Sequence, residues 1–193
     1  MKTEHIHLLA PASGRRDTLV AALEALHELG VEHPYLVEIG TSRDPTPAGC
    51  LADGWGTRML GWYASQTEGA VVSIDPAWKA CRSAHQVVGE FASWVTIRQE
   101  YAEKVLPTLS RRIDLLYMDG PHGNDYAFSA RIHLEFYRAL RCKPRLVLFD
   151  DIKDPTFGVK GTLAVPAMIA DGYELLWVRG VQALLRWSDK VAA

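Results

Sequence analysis

Acidic, amide and hydroxyl side chains recur directly after short apolar runs in this chain. Glu38-x-Gly40-Thr41-Ser42 follows YLV, Asp75 follows VVSI, and Gln99-Glu100 follows WVTIR. Asp119-Gly120-Pro121-His122 follows DLLYM, and Asp150-Asp151 follows LVLF. Gly40 lets the backbone turn tightly and approach a ligand closely, and Thr41 and Ser42 add hydroxyl donors. The segment lacks the GxGxxG glycines, and a plain strand-to-loop turn explains it equally. Asp75 can accept two hydrogen bonds from ribose hydroxyls or cap a following helix. Gln99 is either a contact for an adenine edge or a surface residue. Asp119, Asp150 and Asp151 form a second group. Three carboxylates near one point raise one another's pKa unless a cation sits among them, and hard oxygen ligands favour Mg²⁺, Ca²⁺ or Mn²⁺. Alternatively, Asp119 binds the ligand directly and Asp150 caps a turn. His122, three residues after Asp119, is placed for a general base near neutral pH or for shaping the pocket. His5, His7, His27, His33, His85 and His133 lie away from these positions and read as structural or solvated. Trp55 and Trp78 flank ligand-facing loops and could stack on a ring; the other tryptophans are core candidates.

Elements of alternating type must position these residues. Leu19, Leu23 and Leu26 share one helical face, which predicts a helix over about 15–29 with Ser13 as N-cap and Gly30 as stop. Strands are expected at 35–39, 70–74, 94–97, 113–118 and 145–149, each followed by a polar turn. Helices are expected from about 57, then over about 78–88, 101–109, 126–141 and 162–170. The stretch 41–56, rich in Gly, Pro, Asp and Thr, reads as a loop. Strands at 174–178 and 182–187 are joined by Arg179-Gly180, too short a link for a crossover, so they must pair as an antiparallel hairpin. The pattern is that of an α/β fold: a mostly parallel sheet with helices on both faces. In such sheets ligands bind at the carboxyl ends of the strands, where the residues above collect.

The 193 residues fit one domain, with 1–33 as a helical extension and 34–193 as the core. A net charge of −2 makes no electrostatic case for nucleic acid or for an anionic membrane. No apolar run approaches the ~20 residues that span a bilayer, and the N-terminus is too polar for a secretory signal. Cys50, Cys81 and Cys142 are far apart and odd in number, which argues against a disulfide framework or a structural zinc site. The expectation is a cytoplasmic protein with reduced thiols.

LVEIGTS, VVSIDP, IDLLYMDGPH and LVLFDDI, in this order, resemble the motifs of class I S-adenosylmethionine-dependent methyltransferases over about residues 35–187. The DGxH and FDDI pieces look most like a bacterial small-molecule O-methyltransferase subgroup. The resemblance implies a Rossmann-like seven-stranded sheet in the order 3-2-1-4-5-7-6 with the last strand antiparallel. It implies that Glu38, Gly40, Thr41 and Ser42 lie near the methionine part of the cofactor. Asp75 would hold the ribose, and Gln99 or Glu100 would sit by the adenine. Asp119 would lie where cofactor and substrate meet. In metal-using relatives, acids at the positions of Asp119, Asp150 and Asp151 bind Mg²⁺, and a basic residue at the position of His122 serves as base. This chain departs from the family where residues 43–55 intervene before Gly56-Thr57. The insertion is expected to form a lid or to alter the cofactor contacts. Without a long N-terminal cap, the pocket is expected to be open or completed by a second subunit of a homodimer.

The resulting expectation is methylation of a hydroxyl on a small-molecule acceptor. The alternatives are a nicotinamide-dependent oxidoreductase, disfavoured by the missing phosphate-binding glycines, and a non-catalytic domain that retains S-adenosylmethionine. A metal-free methyltransferase acting on nitrogen or carbon is a further alternative.

Overall fold

The computed structural model describes residues 13–53, 55–121, 125–152 and 158–188. Strands β1 (Tyr35–Ile39), β2 (Ala70–Ile74), β3 (Val95–Arg98), β4 (Leu115–Met118), β5 (Leu146–Phe149), β6 (Tyr173–Arg179) and β7 (Gln182–Trp187) form one sheet in the order β3-β2-β1-β4-β5-β7-β6. All neighbours are parallel except the β5–β7 and β6–β7 pairs. The hairpin expected from the short Arg179-Gly180 link is present, and it places β7 beside β5. Every residue of β4 and β5 is buried, as central strands covered on both faces require.

One face of the sheet carries α1 (Gly14–Glu28), α3 (Gly56–Thr67) and α4 (Trp78–Val88); the other carries the single turn α5 (Ala102–Val105), α6 (Tyr126–Ala139) and α7 (Gly161–Ala170). Ser13 caps α1 as expected, its hydroxyl accepting from the Arg16 N–H at 3.1 Å. Leu19, Leu23 and Leu26 are buried with Leu36, Leu115 and Leu146 of the sheet. The helix thus covers the sheet rather than extending away from it. Residues 41–56 differ from the expected loop: they contain a short helix, α2 (Pro47–Asp53). Pro47 suits a first helical position because its missing N–H would lack a helical partner there anyway. Among the described residues, no helix is long and apolar enough to cross a membrane.

Candidate active site

Strand register builds the site. Ile39 lies opposite both Ile74 of β2 and Met118 of β4, so the residues just beyond these three strands converge. The Gly40 N–H donates to the Ile74 carbonyl at 2.8 Å, and the Asp119 N–H to the Ile39 carbonyl at 2.9 Å. Gly40 has φ +89°, and a Cβ on it would stand 2.2 Å from the Asp119 carbonyl oxygen. Both the backbone conformation and the close approach demand glycine here.

A cavity of about 280 Å³ opens at this junction, lined on its polar side by Gly40, Thr41, Asp75 and Asp119. It lies where the strand order reverses, between β1 and β4, the usual ligand position in open α/β sheets. Asp75 accepts from the Thr41 N–H at 3.3 Å and from the Ala77 N–H at 2.8 Å. Its carboxylate thus supports the turn before α4 and lines the cavity; it does not cap that helix, whose N-cap is Ala77. The Thr41 hydroxyl oxygen is buried and has no hydrogen-bond partner among the described residues. A buried polar atom left in this state carries a desolvation cost that a ligand can relieve.

Gln99 is exposed and stands outside the cavity lining; Tyr101, Ala102 and Glu103 form that wall instead. Phe128, Ile132 and Phe136 of α6 form the apolar wall. Their spacing of four residues was visible in the sequence, but an apolar helical face reads first as core. Trp78 is 54% exposed, and neither it nor Trp55 lines the cavity. The Trp55 indole N–H donates instead to the Asp44 carbonyl at 2.9 Å. His122 lies outside the described residues.

Glu38 faces a narrower crevice shared with Gly40, Thr41, Ser42 and Gly56. The β1 register sets it opposite Ser73 and Tyr117. Its carboxyl accepts hydrogen bonds from the Thr57 hydroxyl at 2.7 Å and from the Ser73 hydroxyl. The Ser42 N–H donates to Thr57 Oγ1 at 3.0 Å, tying the strand end to α3. Burial pushes the Glu38 pKa up to about 8, its two hydroxyl partners opposing only part of the shift. Gly56, the first residue of α3, packs so closely that a Cβ would lie 2.6 Å from Glu38 Oε1. The N-terminal, positive end of α3 therefore abuts the crevice.

The three aspartates do meet. Asp119, Asp150 and Asp151 offer carboxylate oxygens that all lie within 4.8 Å of one another. Two basic side chains, which the sequence reading did not single out, hold them. Lys160 Nζ lies 2.6 Å from Asp119 Oδ1 and 2.8 Å from Asp151 Oδ2. Arg15 Nε reaches Asp150 Oδ1 and Oδ2 at 3.1 and 2.9 Å, and its Nη2 reaches Asp151 Oδ1 at 2.7 Å. Gln182, set beside β5 by the hairpin, donates to Asp150 Oδ1 at 3.0 Å and to the Tyr117 hydroxyl at 2.9 Å. Burial works against the Lys160 charge, but Asp119, Asp151 and Asp150 outweigh it and raise its pKa. Burial is also the main cause of the raised pKa of Asp119, with the Lys160 ammonium opposing it.

The backbone on both sides of this cluster is left-handed at non-glycine residues, Asp151 at φ +53° and Val159 at φ +59°. For a β-branched valine this is an outlier, and such strain costs on the order of 1–3 kcal/mol per residue. The expected Mg²⁺ does not fit this arrangement. A magnesium ion needs oxygens at about 2.0–2.1 Å in octahedral array, whereas the Lys160 ammonium fills the gap between Asp119 and Asp151.

No protein-family model and no curated protein matches the sequence. Solved structures do match the fold. NSun6 from Pyrococcus horikoshii with SFG has a TM-score of 0.60 at 15% identity, over 85% of this chain and 50% of that one. This chain thus spans half the length of that protein. The SAH-bound methyltransferase PaMTH1 of Podospora anserina has a TM-score of 0.54 at 17% identity, over 97% of this chain and 87% of the other. An O-methyltransferase, so described provisionally, from Klebsiella pneumoniae has a TM-score of 0.58 at 16% identity, over 96% and 87%. The strand order, the antiparallel β7 and these likenesses agree: the chain has the Rossmann-like methyltransferase fold.

Proposed function

We propose that this chain binds S-adenosylmethionine in the cavity between β1 and β4 and transfers its methyl group to a hydroxyl of a small molecule. The observation that carries the reading is the cavity's polar side: a glycine that admits close backbone approach, a buried Thr41 hydroxyl without a partner among the described residues, and Asp75 beside it. In this reading Asp75 takes the ribose hydroxyls. The adenine wall moves from Gln99 to Tyr101 and Ala102. The methionine end points to the crevice at the start of α3, whose positive end favours a carboxylate. Glu38, raised to about 8, is largely protonated at neutral pH and does not repel that carboxylate.

S-adenosylmethionine, held by Gly40, Thr41 and Asp75, would supply a methyl group on a sulfonium to the acceptor oxygen, with the neutral thioether as leaving group. The protein's part is alignment and proton handling. Asp119 lines both the cavity and the crevice. Its raised carboxyl pKa brings its proton affinity closer to the working pH, as a general base requires. His122, three residues on, is the second candidate for that proton. Phe128, 47% exposed in the cavity wall, offers apolar area to a small acceptor or to a second subunit. The net charge of −2 supports a small-molecule acceptor over nucleic acid or membrane.

Isothermal titration with S-adenosylhomocysteine tests the reading, with NAD as control. Micromolar binding of the former, at least tenfold weaker in Asp75→Ala, is expected. Binding of NAD without binding of S-adenosylhomocysteine would overturn it in favour of the oxidoreductase.

A further inference from the structure

We propose that Lys160, with Arg15, is the permanent cation of the Asp119–Asp150–Asp151 cluster, so that this edge of the sheet works without a divalent metal. Both oxygens of Asp150 accept from Arg15, and one of them also from Gln182. Asp151 gives one oxygen to Arg15 and the other to Lys160, and Asp119 gives Oδ1 to Lys160. A divalent ion would have to break at least two of these ion pairs to gather one oxygen from each carboxylate. An ion that took the oxygens Lys160 holds would displace a side chain that is 1% exposed from both of its carboxylate partners. Stranding a buried ion is strongly unfavourable.

Charge gives the same answer. One ammonium and one guanidinium supply the two positive charges that a divalent ion would bring, and they are covalently tethered. They do not depend on metal supply or dissociate. Lys160 also fixes Asp119 from behind the cavity, so the carboxylate that meets the ligand is held by an ion pair at 2.6 Å. Lys160 and Arg15 are therefore positioning residues, acting through Asp119 and Asp150. The ion pairs of the cluster do not depend on what is methylated, so metal binding and lysine reactivity are read directly rather than turnover.

Mn²⁺ is titrated into the purified protein and followed by electron paramagnetic resonance of the free ion, for wild type and Lys160→Ala. Wild type is expected to bind no Mn²⁺ below the millimolar range. Lys160→Ala, which vacates the ammonium position among three carboxylates, is expected to bind at least tenfold more tightly. Micromolar Mn²⁺ binding by wild type that is lost in Asp151→Asn would overturn the proposal. So would a folded Lys160→Ala that gains no affinity, because the ammonium would then not be standing in a cation's place. A second measurement uses wild type alone and covers the case in which the variant does not fold. Amine acylation read by mass spectrometry is expected to leave Lys160 unmodified in the native protein with and without 10 mM Mn²⁺. Labelling of Lys160 that rises with Mn²⁺ would show the ion displacing the ammonium and overturn the proposal.

Discussion

The two halves of the carboxyl edge handle polarity in opposite ways. On the β1–β2 side, Gly40, Thr41 and Asp75 surround a cavity, and the Thr41 hydroxyl has no partner among the described residues. On the β4–β5 side, three carboxylates, one lysine, one arginine and a glutamine close on one another in ion pairs and hydrogen bonds. The first half leaves binding capacity unused, and the second has spent its own internally. Asp119 belongs to both: it lines the cavity and pairs with Lys160. Polar residues at strand ends are therefore not equivalent. At the cavity one buried hydroxyl still has hydrogen-bonding capacity, whereas in the acid cluster the charges are compensated by neighbouring side chains.

The sharpest way to break this contrast is to remove the internal cation. Lys160→Met keeps most of the side-chain volume and deletes the charge. Removing one partner of a buried pair should lower the unfolding free energy by about 3–5 kcal/mol, measured by urea denaturation. A loss under about 1 kcal/mol would mean that the acid cluster is solvated and the second half no more closed than the first.

Glu38 is the next test, because it is buried with hydroxyl partners and, among the described residues, no cation. Its pKa is about 8 folded and near 4.5 unfolded. Between these values the folded state keeps a proton that the unfolded state has lost, so wild-type stability should fall as pH rises through that window. The cost is complete above pH 8, and the shift corresponds to about 5 kcal/mol. Glu38→Gln, neutral throughout, should flatten the curve. A wild-type stability that does not decline across this range would contradict the burial of an uncompensated acid.

Gly40→Ala adds a Cβ where the Asp119 carbonyl oxygen stands 2.2 Å away and forces a left-handed backbone. A loss of about 3 kcal/mol in stability is expected, together with loss of S-adenosylhomocysteine binding in calorimetry. The finest comparison lies within the cavity wall. Asp75→Ala should weaken that binding by about 2 kcal/mol, since hydrogen bonds to charged groups contribute at this level. Gln99→Ala, at an exposed position outside the wall, should change it by less than about 0.5 kcal/mol. Equal effects at the two positions would return the adenine contact to Gln99.

Much of this molecule was legible as local pattern. The apolar runs of β4 and β5, Ser13 before α1 and the two-residue link before β7 have near-neighbour causes: side-chain periodicity, a cap and a chain too short to cross over. Even the meeting of the three aspartates follows from parallel strands that end at one edge. The helix within 41–56 escaped because its proline and glycine read as loop formers, although Pro47 sits at a tolerated first helical position.

What the sequence by itself determined is the order of elements, the edge at which polar residues collect and the identity of Gly40, Asp75 and Asp119 as residues of that edge. Only the tertiary structure decided what neutralises the acids. Arg15 lies 135 residues from Asp150, and Lys160 lies 41 from Asp119. An exposed lysine and one destined for burial look the same along the chain. The physical reason is that strand and helix patterns are written by neighbours a few residues apart, whereas charge compensation acts through space. Its partners become neighbours only after the sheet has formed, α1 has packed across β5, and the left-handed turn at Val159 has brought Lys160 between Asp119 and Asp151.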